Sequence, residues 1–183
     1  MEQIKILFFV LGSFFGIEDG RIAAEKTTVT VYPESQEIEI IQENLFTIIQ
    51  SEKDSTIVVE QWKAIINSKE ENSSWAKDLD NFTVKKLTFS TSNKTIHPHV
   101  MLHYSTEKDL RAIGIWYDAA KNQFSINHNP RDNIKTKGGK LEGNYWVFNG
   151  DTSFGFTIEP FIEMPENFQK IKKPISEIIS GEQ

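Results

Sequence analysis

The chain has no cysteine among its 183 residues. That excludes disulfides, thiolate metal ligands, cysteine nucleophiles and lipid-modified cysteines. It leaves the compartment open, because a domain of this length can bury enough apolar surface to fold without covalent bridges. Basic residues are also in deficit: 20 Lys and Arg stand against 26 Asp and Glu, for a formal net charge of −6. Nucleic-acid binders carry a basic face that neutralises phosphates. No such stripe is present, so nucleic acid is not expected as a partner. The lysine cluster Lys135, Lys137 and Lys140 surrounds Gly138-Gly139 and reads as a solvated turn.

Long hydrophobic runs are missing too. The run from Ile6 to Ile17 is too short to span a bilayer comfortably, but it suits the apolar core of an export signal, with Lys5 before it and Glu18, Asp19 and Arg21 after it. On that reading residues 1–24 are a signal peptide, residues 25–183 form a single domain, and the protein is secreted or periplasmic. Glu2 offsets Lys5, and no clean small-x-small site follows, so cleavage after Gly16 and after Ala24 are both open. The competing use of the same run is a buried element of the domain itself.

Catalytic motifs are likewise absent. The chain contains no glycine-rich phosphate loop after a strand, no G-x-S-x-G elbow and no H-E-x-x-H helix. No catalytic residue is assigned from the sequence.

What is present is a succession of short alternating segments. Thr27–Tyr32 is a β-branched strand stopped by Pro33, and Glu37–Ile41 is a second strand, after which Gln42–Gln50 shifts toward helical spacing. Asp54 is placed to cap a helix over Ser55–Asn67, with Val58, Trp62, Ile65 and Ile66 as its apolar stripe. Ser68–Asn81 reads as a loop holding a short helix, and Val84–Thr91 and Ile96–Tyr104 as a strand pair. Asp109–Tyr117 alternates, Gln123–His128 returns, and Lys140–Phe148 pairs with Thr152–Phe161 across Asn149-Gly150-Asp151. Pro174 opens a last helix, Ile175–Ile179. The pattern predicts an α+β fold: a curved antiparallel sheet, a meander of about six to eight strands, with helices packed on one face.

Two groups of side chains stand out. His97, His99 and His103 share one face of their strand with Met101. Histidines two apart on a strand stand roughly 7 Å apart, so His97 and His99 can converge on one zinc ion. His103 lies further along and joins them only if the strand bends; a third ligand otherwise comes from a neighbouring strand, where Glu142, Glu159 and His128 are candidates by chemistry. The plainer reading is a solvated strand face. The second group is aromatic: Trp116, Tyr145, Trp146 and Phe148 give the second half of the chain more ring surface than one sheet face needs. Either helices cover both faces, or the sheet curls into a barrel-like shape, or one face binds something apolar.

These observations favour a non-catalytic exported module that binds a small apolar molecule or an envelope component through Trp116, Tyr145, Trp146 and Phe148, without a cofactor. A metal-dependent protein, for example a zinc hydrolase, using the His97 and His99 pair, with His103 as a further candidate ligand, is the first alternative. A structural or assembly role is the second. The sequence leaves the oligomeric state open.

Overall fold

The structure, a computed structural model, describes residues 8–68, 74–93, 95–128 and 133–181. Residues 1–7 of the expected export signal and 69–73 of the expected loop lie outside the described residues.

The chain forms two open antiparallel sheets. Strands β1 (Ala23–Tyr32) and β2 (Glu37–Ile48) make a long hairpin, and β3 (Val84–Ser92) and β4 (Thr95–His103) make another, with β4 lying along β2. Two later strands, β7 (Ile134–Lys137) and β10 (Phe154–Ile158), extend the sheet beyond β1. The short β11 (Lys172–Pro174) pairs with the far end of β2, which makes seven strands. The second sheet has four strands in the order β5 (Trp116–Asp118), β6 (Gln123–Asn127), β9 (Tyr145–Asn149) and β8 (Lys140–Glu142). The expected α+β architecture is therefore present, with seven strands in the main sheet.

Alternation decides which face is buried. Val29 and Val31 of β1, Ile38 and Ile40 of β2, and Val100 and Leu102 of β4 all point inward and are fully or almost fully buried. Helix α1 (Glu52–Asn67) covers that face with Val58, Trp62 and Ile65, and Trp62 packs edge-on to Phe89 at 5.5 Å. The small sheet joins the same core through Phe124 and Phe148, whose rings lie 5.2 and 4.3 Å from that of Phe154. Helices α2 (Glu166–Gln169) and α3 (Ile175–Ser180) close the chain, and α3 buries Ile175.

The apolar run near the N-terminus is built into this core. Phe8, Leu11, Phe14 and Phe15 are all buried, and Leu11–Phe15 forms a 3-10 turn. Val10 bridges to Ala23, so this stretch runs along β1 beyond the end of β10. Among the described residues no helix is long and apolar enough to cross a membrane.

Several local expectations need correction. Strand β2 does not give way to helix at Gln42 but continues to Ile48, because Asn44 takes a positive φ of 55° and interrupts the alternation without ending the pairing. The α1 cap is Ser51, with Asp54 as its reciprocal partner three residues on, and not Asp54 itself. Asp109–Ile113 is a 3-10 turn and not a strand: the Asp109 carboxylate accepts from the Ser105 and Thr106 amides, and Leu110 and Ile113, three apart, are the buried pair. The expected hairpin across Asn149-Gly150-Asp151 does not form. That link carries the chain from the small sheet to the large one, where Phe154–Val31 pairing replaces a return onto β9. The tight hairpin is instead Glu142–Tyr145, where Gly143 takes a φ of +60° at the first position of a two-residue turn.

Candidate functional site

The four aromatic residues expected to bind a ligand lie on two faces of the small sheet, Tyr145 opposite Trp146 and Phe148 as alternation requires. Trp146 and Phe148 share the inward face of the small sheet with Phe124 and Ile126, and Phe148 is 2% exposed, so it is core. Trp146 is half-buried, its ring edge-on to that of His128 at 5.8 Å. Trp116 and Tyr145 fall on the opposite face, and Tyr145 is exposed beside the Gly143 turn. The four do not enclose a common space.

The histidines are placed as alternation requires, on the outward face of β4. His99 Nε2 lies 2.9 Å from Glu39 Oε1 of β2, and His103 Nδ1 lies 3.0 Å from the Thr83 hydroxyl. Among the described residues no three of His, Asp and Glu come together in a way that could hold a metal ion.

A cleft of about 780 Å³ lies elsewhere, at the end of the large sheet. Its walls are the Phe9–Val10 stretch, Ala23 of β1, Phe46–Ile48 of β2 and the segment from Glu159 to Phe168. The Asn44 kink matters here. After it, Phe46 pairs across to Ala23 and its ring meets that of Phe161 edge-on at 5.1 Å. Phe161 in turn meets Phe9 at 5.9 Å, so residues from three distant parts of the sequence share one aromatic wall. The segment Pro160–Pro165 is held by a turn, with the Met164 amide donating to the Phe161 carbonyl, and it leaves Ile162 61% and Phe168 38% exposed at the rim.

Polar groups sit at defined points on this apolar surface. Thr47 and Asn133, 1% and 6% exposed, both line the cleft, and each keeps a buried side-chain oxygen with no hydrogen-bond partner among the described residues. A buried polar atom left unpaired in this way costs on the order of 1–3 kcal/mol. At one end Arg21 pairs with Asp54. The Gln50 main-chain N–H, and after it those of Ser51, its hydroxyl and Arg21, hold the Asp54 carboxyl below its ordinary value against the opposing effect of desolvation. At the other end Lys135 Nζ lies 2.7 Å from Glu159 Oε2.

Sequence reasoning missed this cleft because its walls are separated by more than a hundred residues. The one local sign is Pro160-Phe161-Ile162-Glu163-Met164-Pro165, a stretch of apolar residues between two prolines with no strand or helix period to bury them.

The arrangement defines an α+β protein with open antiparallel sheets and an aromatic-walled cleft at one sheet end. No protein-family model, no curated protein and no solved structure matches the chain.

Proposed function

We propose that the protein is a non-catalytic binding module whose ligand is a small, largely apolar molecule held in the cleft between Phe9, Phe46 and Phe161. The observation that carries this reading is the aromatic wall that Phe9, Phe46 and Phe161, from three distant parts of the sequence, build along a cleft of about 780 Å³. A cavity of roughly 300–1,000 Å³ with predominantly apolar and aromatic walls is the usual form of a small-molecule site. The exposed rim residues Ile162 and Phe168 support it further, since apolar side chains at a cleft mouth lose water when a ligand covers them. This reading sets the apolar-ligand site at one end of the main sheet rather than at Trp116, Tyr145, Trp146 and Phe148 of the small sheet.

Export to a secreted or periplasmic location stays a separate proposal, resting on the composition of Ile6–Ile17 alone. The packing of Phe8–Phe15 supports retention of that segment in the folded chain. Intact mass of the protein from its native source distinguishes the two.

The binding reading is tested by titrating the full chain with Nile red, an uncharged environment-sensitive dye. Saturable binding of one dye per chain is expected, and Ala23→Trp, which fills the cleft, abolishes it. Absence of saturable binding, or equal binding by the Ala23→Trp chain with its fold intact by circular dichroism, overturns the proposal.

A further inference from the structure

The charges around the cleft do not balance, and the imbalance selects a head group. This inference rests on the apolar-ligand reading above. Arg21, which lines the cleft, is matched by Asp54, and Lys135 is matched by the lining Glu159. Lys172, whose ammonium lies 4.6 Å over the ring of the lining Phe46, is matched by Glu25. Glu163 also lines the cleft, at its mouth, and has no partner of opposite charge among the described residues.

A carboxylate or phosphate entering here meets a lone negative charge and no unmatched cation. An ammonium group meets the reverse: one unmatched carboxylate, flanked in the same short segment by the partly open rings of Phe161 and Phe168. Aromatic faces attract cations through their quadrupole, and a methylated ammonium gives up little hydration to reach them. The Lys172 contact with Phe46 shows that chemistry already in use on one wall. The geometry points to a ligand with a quaternary ammonium head seated at the mouth against Phe161, Phe168 and Glu163, and an alkyl tail on the floor formed by Phe9, Val10 and Phe46.

Calorimetric titration of the full chain at neutral pH with dodecyltrimethylammonium, dodecanoate and dodecyl glucoside, each below its micelle-forming concentration, tests the assignment. The ammonium compound binds at least about tenfold tighter than dodecanoate, and Glu163→Gln reduces that preference about threefold or more. Equal or tighter binding of dodecanoate, or a preference that Glu163→Gln leaves unchanged, overturns the head-group assignment while leaving the apolar-ligand reading in place. If none of the three binds, both fall. Flotation with phosphatidylcholine vesicles then separates two sources of the same chemistry. Co-flotation assigns the head to a lipid, and monomer binding without flotation assigns it to a soluble ammonium compound.

Discussion

Gln42 donates from Nε2 to the main-chain oxygen of Phe8 over 3.1 Å, in the interior of the protein, and the hydroxyl of Thr27 donates to the same oxygen. Gln42 and Thr27 face each other across the β1–β2 ladder and are both 0% exposed. Two buried polar side chains of the main sheet are thus spent on holding the N-terminal segment, and without it both would be left unpaired. Phe8, Leu11, Phe14 and Phe15 are buried along with that contact. At roughly 1.5–3 kcal/mol for each large apolar side chain, the segment contributes about 6–12 kcal/mol. Whole domains are stable by only about 5–15 kcal/mol. A chain beginning at Glu25 is therefore expected to lack a cooperative unfolding transition, while the full chain has one. Urea titration followed by circular dichroism checks this, and equal midpoints for the two chains would show that the segment is dispensable.

Gly150 sits where the chain leaves the small sheet for the large one, and its amide donates to the Asn122 carbonyl at 2.8 Å. A β-carbon there would lie 2.1 Å from the Asn122 side-chain oxygen and 2.7 Å from its main-chain oxygen. Asn122 cannot move aside freely, because Tyr117 donates to its Oδ1 and its own amide donates to Asp151, each at 2.8 Å. Gly150→Ala is expected to lower stability by about 1–3 kcal/mol, the usual range for forcing an extra carbon into a packed site. Chemical denaturation measures it. Gly143→Ala, with open space around its β-position but φ at +60°, should cost less, on the order of 1 kcal/mol.

These two glycines also show what the sequence made legible. A turn is visible wherever Asn and Gly adjoin, but which strand the chain joins next is decided by partners more than a hundred residues away. Phe154–Ile158 reads equally well as a return onto β9 or as a neighbour of β1, and its pairing with Thr27–Val31 is what buries Phe154 and Phe156. Where periodicity is strictly local the reading holds. Val58, Trp62 and Ile65 place α1 on the core, although Ile66, expected in the same stripe, turns outward and is 39% exposed. His97, His99 and His103 fall on the outward face of β4 as alternation requires. Where one residue resets the period it fails: Asn44 turns a strand ending into an apparent helix. The cleft escaped notice for a related reason, since Phe9, Phe46 and Phe161 share no segment, and no pattern within one stretch reports a wall built from three.

Asp54 ties α1 to the cleft through its bonds to the Gln50 and Ser51 amides and to Arg21. Its carboxyl is held below the usual value of 3.8, chiefly by the Gln50 N–H. A depressed folded-state value means the charged form is favoured by folding, so the contribution is present above the unfolded value and is lost as pH falls through the folded one. Asp54→Asn is expected to lower the urea midpoint at neutral pH and to narrow the difference between neutral and strongly acidic solution. An unchanged pH dependence in the variant would remove Asp54 as a source of acid sensitivity.

Tyr104 supplies the opposite case at alkaline pH. Its ring is fully buried at the end of β4, its hydroxyl has no partner among the described residues, and burial, with a smaller push from Glu107, raises its pKa from 10.0 to about 12. Here folding favours the neutral form. The unfolded chain loses the proton first, so stability is fully present below about pH 10 and declines as pH rises toward about 12. Tyr104→Phe removes both the titrating group and an unpaired buried hydroxyl while keeping the ring that fills the core. The variant is expected to match or exceed the parent midpoint at neutral pH and to lose less stability than the parent on going to strongly alkaline solution. Tyrosinate absorbance followed alongside urea denaturation checks this: the Tyr104 signal is expected to rise together with the loss of folded structure, and its appearance in the folded chain below about pH 12 would contradict the assignment.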